Sequence, residues 1–366
     1  MNIRILFGSL VLAVGIHGVV SLAQAETPSS PRITIGVILP LSGPAANFGA
    51  IAQRGVELAL KDLSPEDRAR TRVVYEDDGL VNARSATAAR KLLSLDKADA
   101  LVTWSSGTAI TVAGIVEGSR VPQIAIASDP AVVRNRKFSF TYWPLPEDEA
   151  RTLYEYLARA GMKRVAVLTL THNGAIALRD AFTALLGADD KVRVVASEEV
   201  AGDLVDFRGV LTRMKTKGDV DGFIPILFPG QLAISVKHAR EVGVTAPLVG
   251  FETFEDKDEF QASGGLLAGA VYVTGADPVP SFVERYRGVY PDMSYYTANQ
   301  TYDAINLLVA ATRVRKDGGT IVEFLRSLKE YPTASGAATS TGDNRFKLPT
   351  ALKRIDAKGD AQLVRE

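Results

Sequence analysis

From residue 32 onward the chain alternates short apolar runs with runs whose apolar residues recur at helical spacing, and this rhythm limits the fold more than any other feature. Residues 33–39 form an apolar β run closed by Pro40. Residues 48–63 place Ile51, Val56, Leu58, Ala59 and Leu63 on a helical period that Ser64-Pro65 ends. A strand is expected at 72–76, then an Ala-rich helix to Leu95 with Asn82 as its cap. Strand 100–104, helix 108–117 and strand 123–127 follow. Strands alternating with helices predict a parallel sheet covered on both faces.

The rhythm breaks at 138–146, an aromatic stretch containing Pro, and restarts with a helix at 147–160. A second set of similar length comes next. Its strands are expected at 164–170, 192–198, 222–227 and 247–250, with helices at 175–186, 207–217 and 231–242. Region 271–315 adds a strand and a long helix from about Ala298, followed by a helix at 318–329 and short strands at 346–348 and 352–355. A chain of 366 residues with two such sets is too long for one core. The expectation is an α/β protein of two Rossmann-like lobes with parallel sheets.

The first segment breaks the pattern. Arg4 precedes an apolar run from Ile5 to Leu22, interrupted by His17, and Ala23-Gln24-Ala25 is a small-x-small site before polar Glu26-Thr27-Pro28. That order predicts a secretory signal peptide, residues 1–25, and a mature chain in the periplasm. The alternative is a single membrane anchor, for which the run is at the short end. The sequence has no Cys, which excludes disulfides and the Cys that a lipid anchor uses. Lys+Arg 42 and Asp+Glu 42 cancel, leaving no basic excess to hold nucleic acid or anionic lipid. No nucleic-acid partner is expected, and the chain is expected to be a monomer.

Little in the sequence points to catalysis. Beyond His17 only His172 and His238 are present, and no Cys/His group has metal-ligand spacing. There is no G-x-S-x-G elbow, no G-x-x-x-x-G-K-[ST] loop and no G-x-G-x-x-G turn. No metal, cofactor or catalytic residue is expected. An enzyme would need a triad assembled from distant residues, with His172 in reach of a Ser and an acid.

Five segments, taken in order, resemble the branched-chain amino-acid (Leu/Ile/Val) binding protein family, the type I periplasmic binding fold. The first is Ile35-Gly36-Val37-Ile38-Leu39 with Pro40-Leu41-Ser42-Gly43-Pro44 and the pair Phe48-Gly49. The second is Glu76-Asp77-Asp78 before the Ala-rich helix, and the third is Trp104-Ser105-Ser106-Gly107-Thr108 at a strand-to-helix junction. Asp206-Phe207 with Leu211 and Lys215 is the fourth; the run from His238 to Gly250 is the fifth. The resemblance covers nearly the whole mature chain. It implies a solute-binding protein that serves an ABC permease of the inner membrane, with its ligand held between two lobes that close about three hinge crossings. The crossings are expected at 142–146, 274–278 and 331–340. The lobes would then be 32–143 with 278–333, and 147–273 with 340–366.

In open parallel sheets ligands bind outside the carboxyl ends of the strands. The loops after Leu39, Thr103, Ala127, Leu170, Leu227 and Gly250 should therefore face the cleft, with Ala127 itself at its edge. Ser105 and Ser106, with the free N–H groups of the helix they open, form a natural anion site. The resemblance gives that place to the ligand's carboxylate, and plain N-capping is the alternative. Glu252 stands where amino-acid-binding members carry an acid for the ligand's ammonium; among Glu255, Asp256, Asp258 and Glu259 it could instead be a solvated loop acid. Asp129 departs from the Thr usual in those members, and reads as a second ligand acid or as a turn residue in Ser128-Asp129-Pro130. Phe48, Asn173 and Phe228 fall where the family often has Tyr, and Trp104 adds a flat wall, or each aromatic is ordinary core. The Glu76-Asp77-Asp78 run reads as strand-end and helix-cap chemistry.

The expected ligand is an amino acid or related amino compound captured by hinge closure. An aromatic or other carboxylate, or an amide, is the second reading, and predicts a Glu252 that is solvated or absent from the site. A sensor that presents the same cleft to a signalling partner is the third.

Overall fold

The computed structural model describes residues 33–43, 45–186, 191–291, 293–315 and 320–364. The expected signal peptide at 1–25 and the start of the expected helix at 318 lie outside these residues.

Strand β1 (Ile33–Leu39) is buried along its whole length, as a central parallel strand covered on both faces must be. The first layer continues through α1 (Ala46–Asp62), short α2 (Pro65–Ala69), β2 (Thr71–Asp77), α3 (Asn82–Ser94), β3 (Ala100–Trp104), α4 (Ser106–Ser119), β4 (Gln123–Ile126) and β5 (Ser139–Thr141). These five strands form one parallel sheet in the order β2-β1-β3-β4-β5. The order reverses at β1, so the carboxyl ends of β1 and β3 flank a crevice. Asn82 is the first residue of α3 and makes no cap; Asp78 supplies the local order instead, its Oδ1 accepting the Leu80 N–H. Phe48-Gly49 lies in the first turns of α1, where a side chain at Gly49 would strike the Pro40 carbonyl at 2.0 Å.

The second layer comprises α5 (Pro146–Arg159), β6 (Arg164–Leu170), α6 (Asn173–Ala184), β7 (Arg193–Val200), α7 (Arg208–Lys215), β8 (Gly222–Ile226), α8 (Leu232–Glu241), β9 (Val249–Gly250), α9 (Lys257–Ala262) and β10 (Val271–Gly275). Strands β7, β6 and β8 pair in parallel, a Phe223–Leu248 bridge continues the sheet, and β9 pairs in parallel with β10. The Asp206-Phe207 segment and the run from His238 meet here. The Phe207 N–H donates to His238 Nδ1 at 3.2 Å, and Lys215 Nζ donates to the Val242 carbonyl at 2.9 Å.

The chain then runs through α10 (Pro280–Val289), α11 (Ala298–Arg315), α12 (Ile321–Ser327), β11 (Tyr331–Thr333), β12 (Gly336–Ser340), β13 (Phe346–Lys347), β14 (Thr350–Ile355) and β15 (Ala361–Leu363). Strand β14 pairs antiparallel with β10, and β15 with β14, so the second sheet ends in an antiparallel edge.

Two large apolar cores result. One gathers Val37, Val102, Phe140, Leu308, Phe346 and Leu348; the other gathers Val167, Phe182, Phe223, Tyr272, Val273 and Leu352. The chain passes between them after Trp143, after Val273 and at Pro349. The third passage therefore follows β13, beyond the 331–340 stretch singled out from sequence, which instead forms hairpin β11–β12. All three passages run side by side. The Ala276 N–H donates to the Pro349 carbonyl at 2.9 Å, and a Cβ on Gly275 would lie 3.2 Å from the Pro144 ring.

Candidate functional site

A cavity of about 100 Å³ opens where the carboxyl ends of strands from both sheets converge. Five of the six strand-end loops named above reach it: Trp104, Ser105 and Ser106 after β3, Ala127 and Ser128 after β4, His172 after β6, Phe228 after β8, and Phe251, Glu252 and Thr253 after β9. The loop after β1 is not part of the lining.

Helix α4 is fixed from below. Asp78 Oδ2 accepts hydrogen bonds from Thr108 Oγ1 at 2.5 Å and Ser85 Oγ at 2.7 Å, tying α4 to α3. Asp77 Oδ1 accepts the N–H groups of Leu41, Ser42 and Gly79, so Asp77 and Asp78 both serve the scaffold. Ser105 precedes α4 with φ 80° and ψ 144°, a conformation that costs a non-glycine residue about 1–3 kcal/mol. Its side chain makes no capping bond to α4, so the first-turn N–H groups stay unused by it. The buried Ser106 Oγ accepts the Asp129 N–H at 3.2 Å. Thr297, beside the lining residue Tyr296, is a second outlier with φ 65°. Its hydroxyl accepts the Trp104 indole N–H at 3.2 Å.

The rings form a connected wall. Trp104, Trp143 and Tyr296 line the cavity. Phe48 stands behind them, stacked 6.0 Å from Trp104 and edge-on 5.8 Å from Tyr296. Phe228 lines it with its ring 4.5 Å from that of His172. Burial pushes the His172 imidazole down to about 4, and its Nδ1 accepts the Gly174 N–H at 3.2 Å, which caps α6. Gly174 lets α6 approach α4: a Cβ there would stand 3.1 Å from Ser128 Oγ and 3.3 Å from Ser106 Oγ.

Glu252 is part-buried on the wall, and its Oε2 is shielded with no hydrogen-bond partner. Burial pushes its carboxyl up to about 7. The Trp143 indole N–H is likewise buried and unpaired. Such groups are costly to leave unmatched, so the site offers an acceptor and a donor to whatever enters.

The structure thus brings Trp104, Ser105, Ser106, Ala127, Phe228 and Glu252 to one cavity. It places Asp129 outside the lining, with its carboxylate accepting the Ala131 N–H at 2.7 Å as a turn residue. Asn173 is exposed at the start of α6, and Phe48 backs the ring wall. Sequence reasoning did not select Trp143 or Tyr296. Trp143 sat in the aromatic stretch read only as a crossing, and Tyr296 in a loop with no strand before it. Among the described residues no group of three or more His, Cys, Asp or Glu could hold a metal ion, and no helix is long and apolar enough to cross a membrane.

Known proteins share this architecture. The Leu/Ile/Val-binding protein BraC3 of Rhizobium johnstonii is 24% identical over 331 residues, covering 85% of this chain and 88% of that one. The Leu/Ile/Val-binding protein homolog 3 of Brucella melitensis is 23% identical over 363 residues, covering 94% and 95%. Among solved structures, a leucine binding protein from Thermotoga maritima superposes with a TM-score of 0.82 at 20% identity, covering 91% of this chain and 98% of that one. The solute binding protein of an ABC transporter from Rhodopseudomonas palustris HaA2, in complex with p-hydroxybenzoic acid, gives 0.80 at 18% identity, covering 91% and 95%. The family model described as "Periplasmic binding protein" matches residues 32–360, and with nearly all of its described residues inside that match, the chain belongs to the periplasmic binding protein family.

Proposed function

We propose that this protein captures an amino acid or related amino compound between its two cores and delivers it to an ABC permease. The observation that carries the reading is Glu252. Glu252 lines the cavity, and a carboxyl with one shielded, unpaired oxygen suits a cationic group. An aromatic carboxylate, the class bound by the Rhodopseudomonas relative, would meet a carboxyl there. Ser105 and the first turn of α4 supply the complementary anion site, and the ring wall takes the apolar part of the ligand. The Leu/Ile/Val-binding names of the sequence relatives support the same class.

The lobes of this reading are 32–143 with 278–333 and 147–273 with 340–366, except that 340–348 goes to the first lobe because Phe346 and Leu348 pack in its core. They close by rotation about the three adjacent passages, and closure excludes water so that each polar contact discriminates more sharply. The protein works in the periplasm as a monomer after loss of the 1–25 leader, without metal, cofactor or catalysis. His172 supports the last point. Its Nδ1 accepts a main-chain N–H, whereas a triad histidine must donate from that atom to an acid.

The test is thermal unfolding of residues 26–366 against L-leucine, L-phenylalanine, L-lysine and 4-hydroxybenzoate. A ligand at a hundredfold excess over its Kd adds about 2.7 kcal/mol of stability. The reading requires an amino acid to raise the midpoint and Glu252→Gln to cut the added stability to about a third. A rise with 4-hydroxybenzoate alone would refute it.

A further inference from the structure

Glu149, in the first turn of α5, is fully buried, and neither of its carboxyl oxygens has a hydrogen-bond partner. Helix α5 and the turn Glu252–Glu255 both pack on β10, which brings Glu149 within reach of the charge of Glu252, whose own Oε2 is unpaired, and Tyr296 on the cavity wall feels both acids. Burial and the neighbouring acids push Glu149 well above the usual carboxylate range.

Among the described residues nothing packed around the pair neutralises it. On β14, Lys353 is committed to Glu255 and Asp277, and Arg354 is exposed. On β10 the titratable group is Tyr272. Helix α6 brings the His172 cap and an Arg179 held by Asp180 and Glu199. On α5 itself Glu147 takes Arg345, Asp148 adds negative charge and Arg151 is exposed. The turn that carries Glu252 adds the acids Glu255 and Asp256. A buried carboxyl beside a second one with a shielded oxygen, with no cation between them among the described residues, cannot be ionised together with it.

We propose that Glu149 and Glu252 hold a proton jointly while the cleft is empty, and that a cationic ligand group seated at Glu252 drives that proton into solvent. The O–H bond of one carboxyl breaks, the proton goes to the buffer, and the resulting carboxylate pairs with the ligand's cation. Glu149 is thus a positioning residue that acts through Glu252. The inference rests on the amino-compound reading and sharpens it: the ligand class is one whose cation replaces a proton, so its affinity weakens as pH falls. An anionic ligand would release no proton.

The experiment is calorimetric titration of residues 26–366 with L-leucine, L-phenylalanine and L-lysine, from pH 6 to 8, in phosphate and in Tris. The two buffers differ in ionisation heat, which reports the protons released. About one proton per bound amino acid is expected, with Kd weakening up to about tenfold per pH unit as pH falls. Glu149→Gln, whose amide can donate to Glu252, should release less than half as much and flatten the pH profile. Glu149→Met should do the same if the Gln variant does not fold. Amino-acid binding without proton release, or with release unchanged in both variants, overturns this inference and leaves the amino-compound reading standing. Binding of 4-hydroxybenzoate with none of the amino acids, or of no probe at all, overturns both.

Discussion

Two residues of the cleft are held in states that cost the empty protein stability. Ser105 sits at φ 80°, where an L side chain is crowded and glycine is not. Ser105→Gly should therefore raise the stability of the ligand-free protein by about 1 kcal/mol while weakening any carboxylate-bearing ligand. Thermal unfolding with and without ligand separates the two effects. Gain of stability with undiminished binding would remove Ser105 from the anion site. Glu252 stores its cost as a raised pKa. Its carboxyl titrates near 7 in the folded protein, against about 4.3 when unfolded. Between those values the folded state holds a proton that the unfolded state has lost, so its contribution is fully present below about pH 4 and is lost as pH rises through 7. The ligand-free midpoint should fall over that window, at most by roughly 1.4 kcal/mol per pH unit, and Glu252→Gln should remove this part of the slope. A flat wild-type profile between pH 5 and 7.5 would count against a buried Glu252.

At the scale of elements, the proposed closure needs the first turns of α4 and α6 to come close. Gly174 is the point of contact, with Ser106 Oγ and Ser128 Oγ already within 3.3 Å of where a Cβ would be. Gly174→Val should act as a wedge between these turns. The variant should fold with a near-normal midpoint, bind ligand at least about tenfold more weakly, and stay expanded on ligand addition in small-angle scattering. A compact, ligand-tight variant would show that α4 and α6 do not need to meet. Helix and strand order were legible in the sequence because apolar periodicity carries through both layers, and strand ends together with the family resemblance picked out Trp104, Ser105, Phe228 and Glu252. Trp143 and Tyr296 were not legible. One lies in a passage and the other before α11, so each reaches the cavity only because the long-range fold brings it there. Hairpin β11–β12 was hidden for a related reason. Its short, Gly- and Ser-containing strands look like a linker until Asp303 and Tyr142 are placed against them.

At the scale of the whole molecule, the groups that tie the three passages together are, Trp143 apart, not those that line the cavity, and the two sets should fail differently. Asp303 on α11 is fully buried in the first core region and accepts the N–H groups of Ala334 and Ser335 and the Ser335 hydroxyl. Tyr142, at the head of the first passage, donates to Asp303 Oδ2 at 3.1 Å and lies 3.0 Å from Thr333 Oγ1. The Thr141 N–H donates to the Asn344 carbonyl at 3.1 Å, binding the first passage to the segment that leads into the third. None of these groups lines the cavity. Tyr142→Phe removes a hydrogen bond to a buried acid and should cost about 1.5–3 kcal/mol of stability, with a loss of affinity below tenfold. Glu252→Gln should do the reverse. It leaves the ligand-free midpoint unchanged or higher at pH 7.5, and weakens an amino-acid ligand by about thirtyfold, the equivalent of roughly 2 kcal/mol. The check is a pair of measurements on each variant, thermal midpoint without ligand and Kd by calorimetry. If Tyr142→Phe weakened binding as much as Glu252→Gln, the hydrogen bonds that tie the passages together would be part of recognition, and closure could not be treated as rotation about contacts that the ligand never touches.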